Sequence, residues 1–395
     1  MAWNWQQPDW PHFSWDKSLL RKAEEEFLLG SGVIAGSLKH LPRVDQEQLA
    51  VEAMSTEALT TSEIEGEILD RASVQSSIRR QLGLATDEGR VKPAEQGIAE
   101  MMIDLCRSFE EPLSETTLFN WHRQLVKGRS DLKDIGRYRT DEEAMQVVSG
   151  DLYSPQVHFE APPSSKVPEE MAGFIKWFNQ TATNGPTPLP ALTRAGIAHL
   201  YFESIHPFED GNGRVGRAIS EKALAQGSGH STLTVLAETI LIRRKAYYSA
   251  LEGANKEIEI SDWLRWFAGV SIEAQRRTAA RIEFLIDKTR LLDGLLGRIH
   301  ERQERALLRM LQEGPEGFKG GLSAGNYIKI TGTSPATATR DLADLVEKGA
   351  LTRTGELRHA RYQLAIPLRP VAQVMIDKNG DLKPADQRAA LEKLP

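Results

Sequence analysis

The sequence predicts an all-α protein with one small β-hairpin in its middle and a winged helix near its C-terminus. The helical class rests on apolar residues spaced three and four positions apart, most clearly over residues 191–205. Two short segments, 145–148 and 156–159, are instead typical of strands, and the polar pair Ser149-Gly150 between them predicts a turn. Ser334-Pro335 predicts a helix start in the winged helix, because serine caps helices and proline suits their first position.

Changes in composition along the chain predict four segments. The first is helical and rich in tryptophan, and we interpret its aromatic rings as a cap on a core. Half of the eight tryptophans lie in it, namely Trp3, Trp5, Trp10 and Trp15. A polar stretch, 84–91, marks its end. The four predicted segments are this region (1–90), a helical catalytic core (91–285), a linker helix with the winged helix (286–370), and a polar tail (371–395).

The composition is that of a globular protein without a membrane span. The 395 residues carry a formal net charge of −6, and no apolar run approaches the ~18 residues of a membrane helix. The single cysteine, Cys106, excludes an internal disulfide and fits a reducing cytoplasm, where we expect the protein. The charge is uneven, because residues 298–369 hold twelve Lys and Arg against eight Asp and Glu. A basic C-terminal module is therefore attached to an acidic body.

Residues 206–217 concentrate the chemistry of the chain in a tight loop between two helical segments. The first turn of a helix presents unpaired N–H groups and the positive end of the helix dipole. Gly211 and Gly213 let the backbone approach a ligand closely. Arg214 and Arg217 are three residues apart, hence on one helical face, and guanidinium groups suit phosphate oxygens. These features predict a site for a polyphosphate.

Two titratable side chains accompany this phosphate site. Asp210 is a hard oxygen ligand, suited to Mg²⁺ that is shared with phosphates. His206, whose unperturbed pKa is ~6.5, can take a proton from a hydroxyl nucleophile.

The stretch reads His-Pro-Phe-Glu-Asp-Gly-Asn-Gly-Arg-Val-Gly-Arg. It resembles the signature of the Fic (filamentation induced by cAMP) family, His-x-Phe-x-(Asp/Glu)-Gly-Asn-Gly-Arg-x-x-Arg, and matches every defined position. The resemblance implies a helical core that transfers AMP from ATP to a hydroxyl side chain of a target protein. The related Doc-type kinases carry Lys where this chain has Gly213, so the glycine favours nucleotidyl over phosphoryl transfer.

The resemblance also implies roles for single residues. His206 would be the general base, Asp210 the ligand of Mg²⁺ or Mn²⁺, and Asn212 an amide that orients phosphate. Arg214 would hold phosphates and Arg217 the γ-phosphate of ATP. By the same resemblance, Phe208 would anchor the loop in the core.

A second short motif lies upstream, at the end of a predicted helix over residues 45–59. Thr61, Glu65 and Gly66 resemble the Fic inhibitory motif, (Ser/Thr)-x-x-x-Glu-(Gly/Asn). The physical hypothesis is that Glu65 pairs with Arg217, takes the place of the γ-phosphate and repels the nucleotide. The simpler interpretation is an acidic helix end stopped by a glycine. Acid at a helix C-terminus is electrostatically unfavourable, so Glu65 needs a cationic partner in either case.

Two further sites are implied by the resemblance. The hairpin near residues 145–160 would be a flap that docks the target protein by strand pairing, and the Gly136–Arg139 segment resembles the lead-in to it. Tyr247, Tyr248 and Asn255 would lie in the adenosine pocket, since aromatic rings stack on bases and an amide reads an adenine edge. Helix packing of the two tyrosines is the alternative.

The remaining partners and activities stay open at this point. The winged helix carries Thr337, Thr339 and Arg340 on its predicted recognition helix, which suits DNA, but such modules also serve as protein contacts. A homodimer is also open. The same site could instead remove AMP from a modified protein, with Glu65 orienting a water. A third interpretation is a DNA-binding regulator that senses ATP.

Overall fold

The computed structural model describes residues 2–85, 91–151, 154–231 and 234–385, and it confirms the predicted helical class. The chain divides into two compact units. The first contains the residues up to Ala35, Gln46–Gln275 and the residues from Ala372; the second contains Gly36–Asp45 and Arg276–Val371. The polar boundary predicted at 84–91 lies largely outside the described residues.

The elements of the described chain follow each other in this order. The helices are α1 (Arg21–Lys39), α2 (Arg43–Ile64), α3 (Arg71–Gln81), α4 (Pro93–Arg107), α5 (Glu115–Leu125), α6 (Val167–Gln180), α7 (Ala191–Ile205), α8 (Asn212–Ser228), α9 (Leu236–Ile242), α10 (Arg244–Ala254), α11 (Ser261–Leu295), α12 (Glu301–Leu311), α13 (Ala324–Thr331) and α14 (Pro335–Glu347). The strands are β1 (Gln146–Asp151), β2 (Ser154–Glu160), β3 (Leu351–Thr354), β4 (Arg361–Leu364), β5 (Val374–Ile376) and β6 (Leu382–Pro384). Within the residues listed above, no helix is both long and apolar enough to cross a membrane.

Helix α7 is the centre of the first unit. Every residue of α7 is buried, which is the pattern of a helix surrounded by others rather than of a surface helix. Its Gly196 carbonyl accepts a hydrogen bond from Trp263 Nε1 of α11 at 2.8 Å. Tyr201 packs edge-on against Phe174 of α6, with ring centroids 5.2 Å apart. The end of α7 is therefore held firmly, and the loop that follows it starts from a fixed point.

The tryptophan-rich N-terminus lies against this unit. Trp10 packs edge-on against Tyr201 of α7 at 5.0 Å between ring centroids. Trp5 Nε1 donates to the Glu160 carbonyl at the end of β2, at 2.7 Å. Trp3 packs edge-on against Phe159 of the same strand at 5.4 Å. These contacts connect the N-terminus both to the central helix and to the hairpin.

The predicted hairpin is present as the antiparallel pair β1–β2, but its turn was predicted in the wrong place. Ser149 and Gly150 belong to β1, where they pair with Gln156 and Pro155. The strands continue to the pair Asp151–Ser154, so the connection falls at 152–153, outside the described residues. The polar Ser-Gly pair was a weak turn signal, because backbone pairing with the opposite strand extends through polar residues as readily as through apolar ones.

After the remainder of α11, the second unit continues with α12, α13 and α14 and the hairpin of β3 and β4. Ser334 caps α14 as predicted, since its side chain accepts from Thr337 N. Tyr327 Oη donates to Asp341 at 2.9 Å and ties α13 to α14. This is the element order of a winged helix, and that assignment stays a prediction.

The chain after Val371 returns to the first unit. Strands β5 and β6 form a hairpin whose Val374 and Ile376 side chains are buried. Val374 N donates to Glu273 Oε2 at 3.2 Å, and its carbonyl accepts from Arg243 Nη1 at 3.1 Å. The segment predicted as a tail is thus paired and packed up to residue 385, while 386–395 lie outside the described residues. The division between the units falls at Gln275/Arg276, inside the continuous helix α11, where no sequence signal marks it.

Candidate active site

The loop between α7 and α8 is set by two residues with positive φ. His206 ends α7 in the left-handed conformation, with φ 50° and ψ 60°. Gly211 precedes α8 with φ 84°, a conformation that glycine adopts without cost. A histidine held in the left-handed region is strained, and such residues cluster at functional sites. The strain is tolerated here because α7 and α8 are both largely buried and fix the two ends of the loop.

His206 is largely buried and neutral at physiological pH. Burial lowers its pKa to about 4, and the charge of Arg139 acts in the same direction. Arg139 Nε donates to the His206 carbonyl at 2.8 Å, so this arginine also fixes the backbone of the loop. A neutral imidazole has one unprotonated ring nitrogen, which can accept a proton.

Asn212 and Phe208 brace the loop from inside. Asn212 Oδ1 accepts from Phe208 N at 2.9 Å, and its Nδ2 donates to the Phe208 carbonyl at 2.8 Å. The Phe208 ring is fully buried and stacks on the His122 ring, with centroids 4.2 Å apart. The resemblance predicted Phe208 as a core anchor and Asn212 as a phosphate ligand. In this structure the Asn212 amide closes the loop on itself.

His122 of α5 is part of this support, and sequence reasoning missed it. Its Nδ1 accepts from Gly136 N at 2.9 Å, and its Nε2 lies 3.1 Å from the Asp210 carbonyl. Burial lowers its pKa to about 4. The residue therefore links the lead-in to the flap with the metal-ligand candidate of the loop. A histidine inside a helical segment gives no sequence signal for such a role.

Asp210 lies at the open side of the loop and is held by cations. Arg129 Nη1 donates to its Oδ2 at 2.7 Å, and Gly211 N donates to its Oδ1 at 2.6 Å. Burial alone would raise the pKa of Asp210, but the charge of Arg214 and these two hydrogen bonds lower it overall. Asp210 is thus an ionised oxygen donor, and Arg129 is a second residue that sequence reasoning missed.

The two arginines of α8 make different contacts. Arg217 is 1% exposed. Its Nη2 donates to Glu65 Oε1 at 2.7 Å and to the Thr61 carbonyl at 3.0 Å, and its Nε donates to Thr61 Oγ1 at 2.7 Å. Arg214 Nη1 donates to Glu67 Oε2, also at 2.7 Å. The end of α2 and the residues after it therefore cover both arginines.

Gly213 and Gly66 make room for this contact. A Cβ on Gly213 would lie 2.3 Å from Glu65 Oε1, so Glu65 occupies the space that the missing side chain leaves. Gly66 follows α2 with φ 85°, which turns the chain away at once. The predicted motif residues Thr61, Glu65 and Gly66 thus lie together against the loop. Glu65 contacts Arg217 although the two residues are 152 positions apart in the sequence.

The three residues predicted for an adenosine pocket lie in different surroundings. Tyr247 is 2% exposed, and its hydroxyl is 2.9 Å from His199 Nε2. Asn255 is buried, accepts from Ser204 Oγ, and accepts at its carbonyl from Asn4 N. Tyr248, by contrast, is 41% exposed. Its hydroxyl donates to the carbonyl of Ile64, the last residue of α2, at 3.2 Å. Of these three side chains, Tyr248 is the one with a face open to a base.

The residues fit a metal that is shared with phosphates better than a metal held by protein alone. Across residues 2–85, 91–151, 154–231 and 234–385 there is no cluster of three His, Cys, Asp or Glu side chains that could hold a metal ion. Mg²⁺ commonly takes one or two carboxylates and completes its shell with water and substrate phosphates. The single ionised carboxylate of Asp210 at the open side of the loop agrees with that mode.

Comparison with known proteins finds a family model for the middle of the chain. The model of the Fic/DOC family matches residues 112–224, which include the whole of α7 and the loop after it. Residues 112–224 are therefore assigned to a Fic/DOC domain. A second model, a domain of unknown function (DUF4172), matches residues 3–84, the region that carries four of the eight tryptophans and the whole of α2.

Curated relatives of this chain are named as protein adenylyltransferases. It is 30% identical over 143 residues to protein adenylyltransferase fic-1 of Caenorhabditis briggsae, covering 36% of this chain and 24% of that protein. It is also 30% identical over 185 residues to a probable protein adenylyltransferase of Aquifex aeolicus (strain VF5), covering 45% and 49% of the two chains. The chain thus spans between a quarter and half of the length of these relatives.

Solved Fic structures align with much of the chain. A Fic family protein from Desulfovibrio desulfuricans G20 aligns at 22% identity and a TM-score of 0.49, covering 87% of this chain and 95% of that one. A Fic domain containing signaling protein from Bacteroides thetaiotaomicron VPI-5482 aligns at 18% identity and a TM-score of 0.48, covering 66% and 95%.

Proposed function

We propose that this chain is a protein adenylyltransferase that moves AMP from ATP to a Ser, Thr or Tyr hydroxyl of a target protein, and that Glu65 holds it in an inhibited state. One observation carries the proposal. His206, which is neutral and largely buried, ends α7. The short loop after it leads into α8, whose first two turns carry Arg214 and Arg217. A base and a phosphate site at this spacing suit attack of a hydroxyl on a phosphorus atom.

The chemical step follows from this placement. The target hydroxyl gives its proton to the free nitrogen of His206 as its oxygen bonds to the α-phosphorus of ATP. The bond from the α-phosphorus to the bridging oxygen breaks, and pyrophosphate leaves with the electron pair. General-base assistance of this kind contributes roughly 10²–10⁴-fold to a rate. The low pKa of His206 keeps it unprotonated at neutral pH, so the base is ready without a prior deprotonation.

The phosphates are held by the start of α8. Its first backbone N–H groups and the positive end of its dipole favour an anion. Arg217 Nη1 is buried and, among the described residues, has no hydrogen-bond partner, which suits an incoming phosphate oxygen. Tyr248 offers the exposed ring on which a base can stack.

Asp210 is the residue that would hold Mg²⁺ or Mn²⁺ in this protein. A bound cation would neutralise charge on the phosphates and so favour departure of pyrophosphate. The protein's own part is to keep Asp210 ionised and in place beside the phosphate site, which its hydrogen bond from Gly211 and the charge of Arg214 support.

The target would dock on the flap hairpin. Val147, Val148 and Val157 are exposed apolar side chains of β1 and β2, an unusual feature for solvent-facing strands. The base of this hairpin is close to the proposed general base, because the rings of Phe159 and His206 have centroids 6.5 Å apart. An extended target segment paired with the hairpin would present its hydroxyl next to the imidazole.

Inhibition would arise from competition for one guanidinium. Glu65 and a γ-phosphate are both anions that need Arg217, and Glu65 fills the space beside Gly213 through which phosphates would approach. With Glu65 in place, the triphosphate is repelled and displaced from the pose required for in-line attack.

Labelling with ATP that carries ³²P at the α position tests the proposal. The Glu65→Gly variant is expected to label itself or proteins of a lysate, and the Glu65→Gly/His206→Ala double variant is expected to give no label. Absence of label from a folded Glu65→Gly variant that binds ATP would contradict the proposed activity.

A further inference from the structure

Glu203 is a buried acid beside His206 to which neither the signature nor the proposed step gives a role. It lies on α7, one turn before the histidine, and is 6% exposed. Its Oε2 is 3.8 Å from His206 Nδ1. Its Oε1 is buried and has no hydrogen-bond partner in the part of the chain that the structure describes. Burying a carboxyl group without full hydrogen bonding is costly, so its position needs an explanation.

The neighbouring helix is shaped to accept this carboxyl group. A Cβ on Gly216 of α8 would lie 2.4 Å from Glu203 Oε1 and 3.4 Å from His199 Cε1. Position 216 is one of the two that the signature leaves undefined between its arginines. In this chain a side chain there would collide with the carboxyl group. Gly216 and Glu203 therefore belong together, and the space between α7 and α8 is built around the acid.

The charged and titratable groups around Glu203 come from four helices. His199 and His206 lie on or at the end of its own helix α7, Arg217 faces it from α8, Tyr247 from α10 and Glu65 from the end of α2. Burial and, to a smaller extent, the charge of Glu65 raise the pKa of Glu203 to about 8, while the charge of Arg217 opposes both. Departure of Glu65 therefore favours ionisation of Glu203.

We propose that Glu203 is a positioning residue for the general base: once ionised, it orients the His206 ring through Nδ1 and stabilises the imidazolium that forms when the target hydroxyl is deprotonated. This inference rests on the proposed function. The hydroxyl proton is taken up by the far nitrogen of His206, and no other bond changes. Without the acid, a histidine whose pKa burial holds at about 4 is a weak base.

The two acids near Arg217 then act in opposite directions. With Glu65 in contact, its negative charge keeps Glu203 protonated, and the base receives no support. When Glu65 leaves, Glu203 loses that repulsion and ionises at lower pH. The inhibitory contact would thus weaken the base as well as block the phosphates.

The test compares Glu65→Gly with Glu65→Gly/Glu203→Gln from pH 6 to pH 9, at saturating ATP, by initial rates of AMP incorporation. Toward pH 6 a larger fraction of Glu203 is protonated, so the rates of the two proteins are expected to converge. At pH 9 the Gln variant is expected to be about tenfold slower, with an unchanged KM for ATP, a loss below that of a full general base. A ratio that does not change with pH overturns the inference.

Two further variants separate this role from a structural one. Glu65→Gly/Glu203→Asp keeps the charge and is expected to retain the rise in rate with pH. Glu65→Gly/Glu221→Gln removes the carboxyl group of another buried acid. Glu221 lies on α8 one turn after Arg217 and accepts from Thr234 Oγ1, and its replacement is expected to leave the pH dependence intact. If it removes the rise as well, the effect belongs to buried acids in general and the inference fails.

A spectroscopic readout makes the test independent of turnover. In Glu65→Gly protein with ¹³C-labelled histidine, the His206 resonance, assigned with His206→Ala, is expected to change in the pH range in which the rate rises. That change should be missing after Glu203→Gln. If the His206 resonance responds to Glu203 but the protein has no transferase activity, the proposed function is contradicted and the role of Glu203 is not. If the protein is fully active but the resonance shows no such response, the role of Glu203 is contradicted and the proposed function is not.

Discussion

The end of α2 and the loop between α7 and α8 meet at Arg217, yet they are built differently. The loop is braced from inside by Asn212 and Phe208, which are 2% and 0% exposed. At the end of α2, by contrast, the side chains of Glu65 and Glu67 are 32% and 37% exposed. Regions with few buried contacts open at lower free energy than packed ones. The loop is thus held by buried contacts, while the carboxyl groups that cover it reach solvent, and the proposed inhibition requires this cover to leave.

Removal of the base should have the largest effect and should leave the braced loop standing. His206→Ala in a Glu65→Gly background is expected to lower the rate of AMP transfer by about 10²-fold or more. Thermal unfolding and ATP binding by calorimetry serve as controls, and both should be retained because Asn212 and Phe208 hold the loop without the imidazole. Residual transfer within about threefold of the background would remove His206 from the mechanism.

Removal of the cover should have the next largest effect. Glu65→Gly is expected to increase AMP transfer about tenfold or more, since a charge-assisted hydrogen bond contributes ~1.5–3 kcal/mol and each 1.4 kcal/mol is tenfold. Glu63→Gly is the matched control, because Glu63 is an exposed acid of the same helix. An equal gain from both variants would show that loosening α2 is enough and that the contact with Arg217 is not specific.

Filling the space beside Glu65 tests the contact between the loop and the end of α2 through the free energy of unfolding. Gly213→Ala places a methyl group 2.3 Å from Glu65 Oε1 and is expected to destabilise the protein by about 1–2 kcal/mol. In Glu65→Gly the same change should be neutral or stabilising, because alanine favours helices. Urea unfolding of the double-mutant cycle measures this coupling.

Gly253→Ala in α10, where an added Cβ meets no atom within 4 Å, is the control and should be additive with Glu65→Gly. Additive behaviour of Gly213→Ala as well would mean that Glu65 does not occupy the space beside it.

Release of Asp210 should have the smallest effect. Arg129→Ala removes the cation that holds Asp210 Oδ2 and is expected to tighten Mn²⁺ binding by up to about fivefold, since a partly exposed ion pair is worth ~0–1 kcal/mol. Electron paramagnetic resonance of free Mn²⁺ measures the affinity. Lys133→Ala removes an equal charge that pairs with Asp141 instead, and should leave the affinity unchanged. Weaker binding in Arg129→Ala would show that Arg129 orients Asp210 rather than competing for it.

The sequence alone carried the helical class, the position of the hairpin and the residues of the loop. These features depend on local patterns: apolar spacing, a capping serine at 334, and a loop in which the signature residues stand next to each other. The motif at Thr61, Glu65 and Gly66 was also readable, because its residues are close in sequence. The sequence suggested its contact with Arg217 only as a hypothesis, and the atoms that make this contact and their distances come from the structure.

What only the tertiary structure decided is the environment of these residues. His122 and Arg129 lie far from the signature and Glu203 lies just before it, outside its defined positions. Their contacts with the loop are set by the packing of the helices. The same holds for Tyr247 and Asn255, whose burial against His199 and Ser204 no local pattern shows. The physical reason is that burial and electrostatic surroundings are sums over neighbours distant in sequence, so a linear pattern fixes which groups are present but not which charges they face.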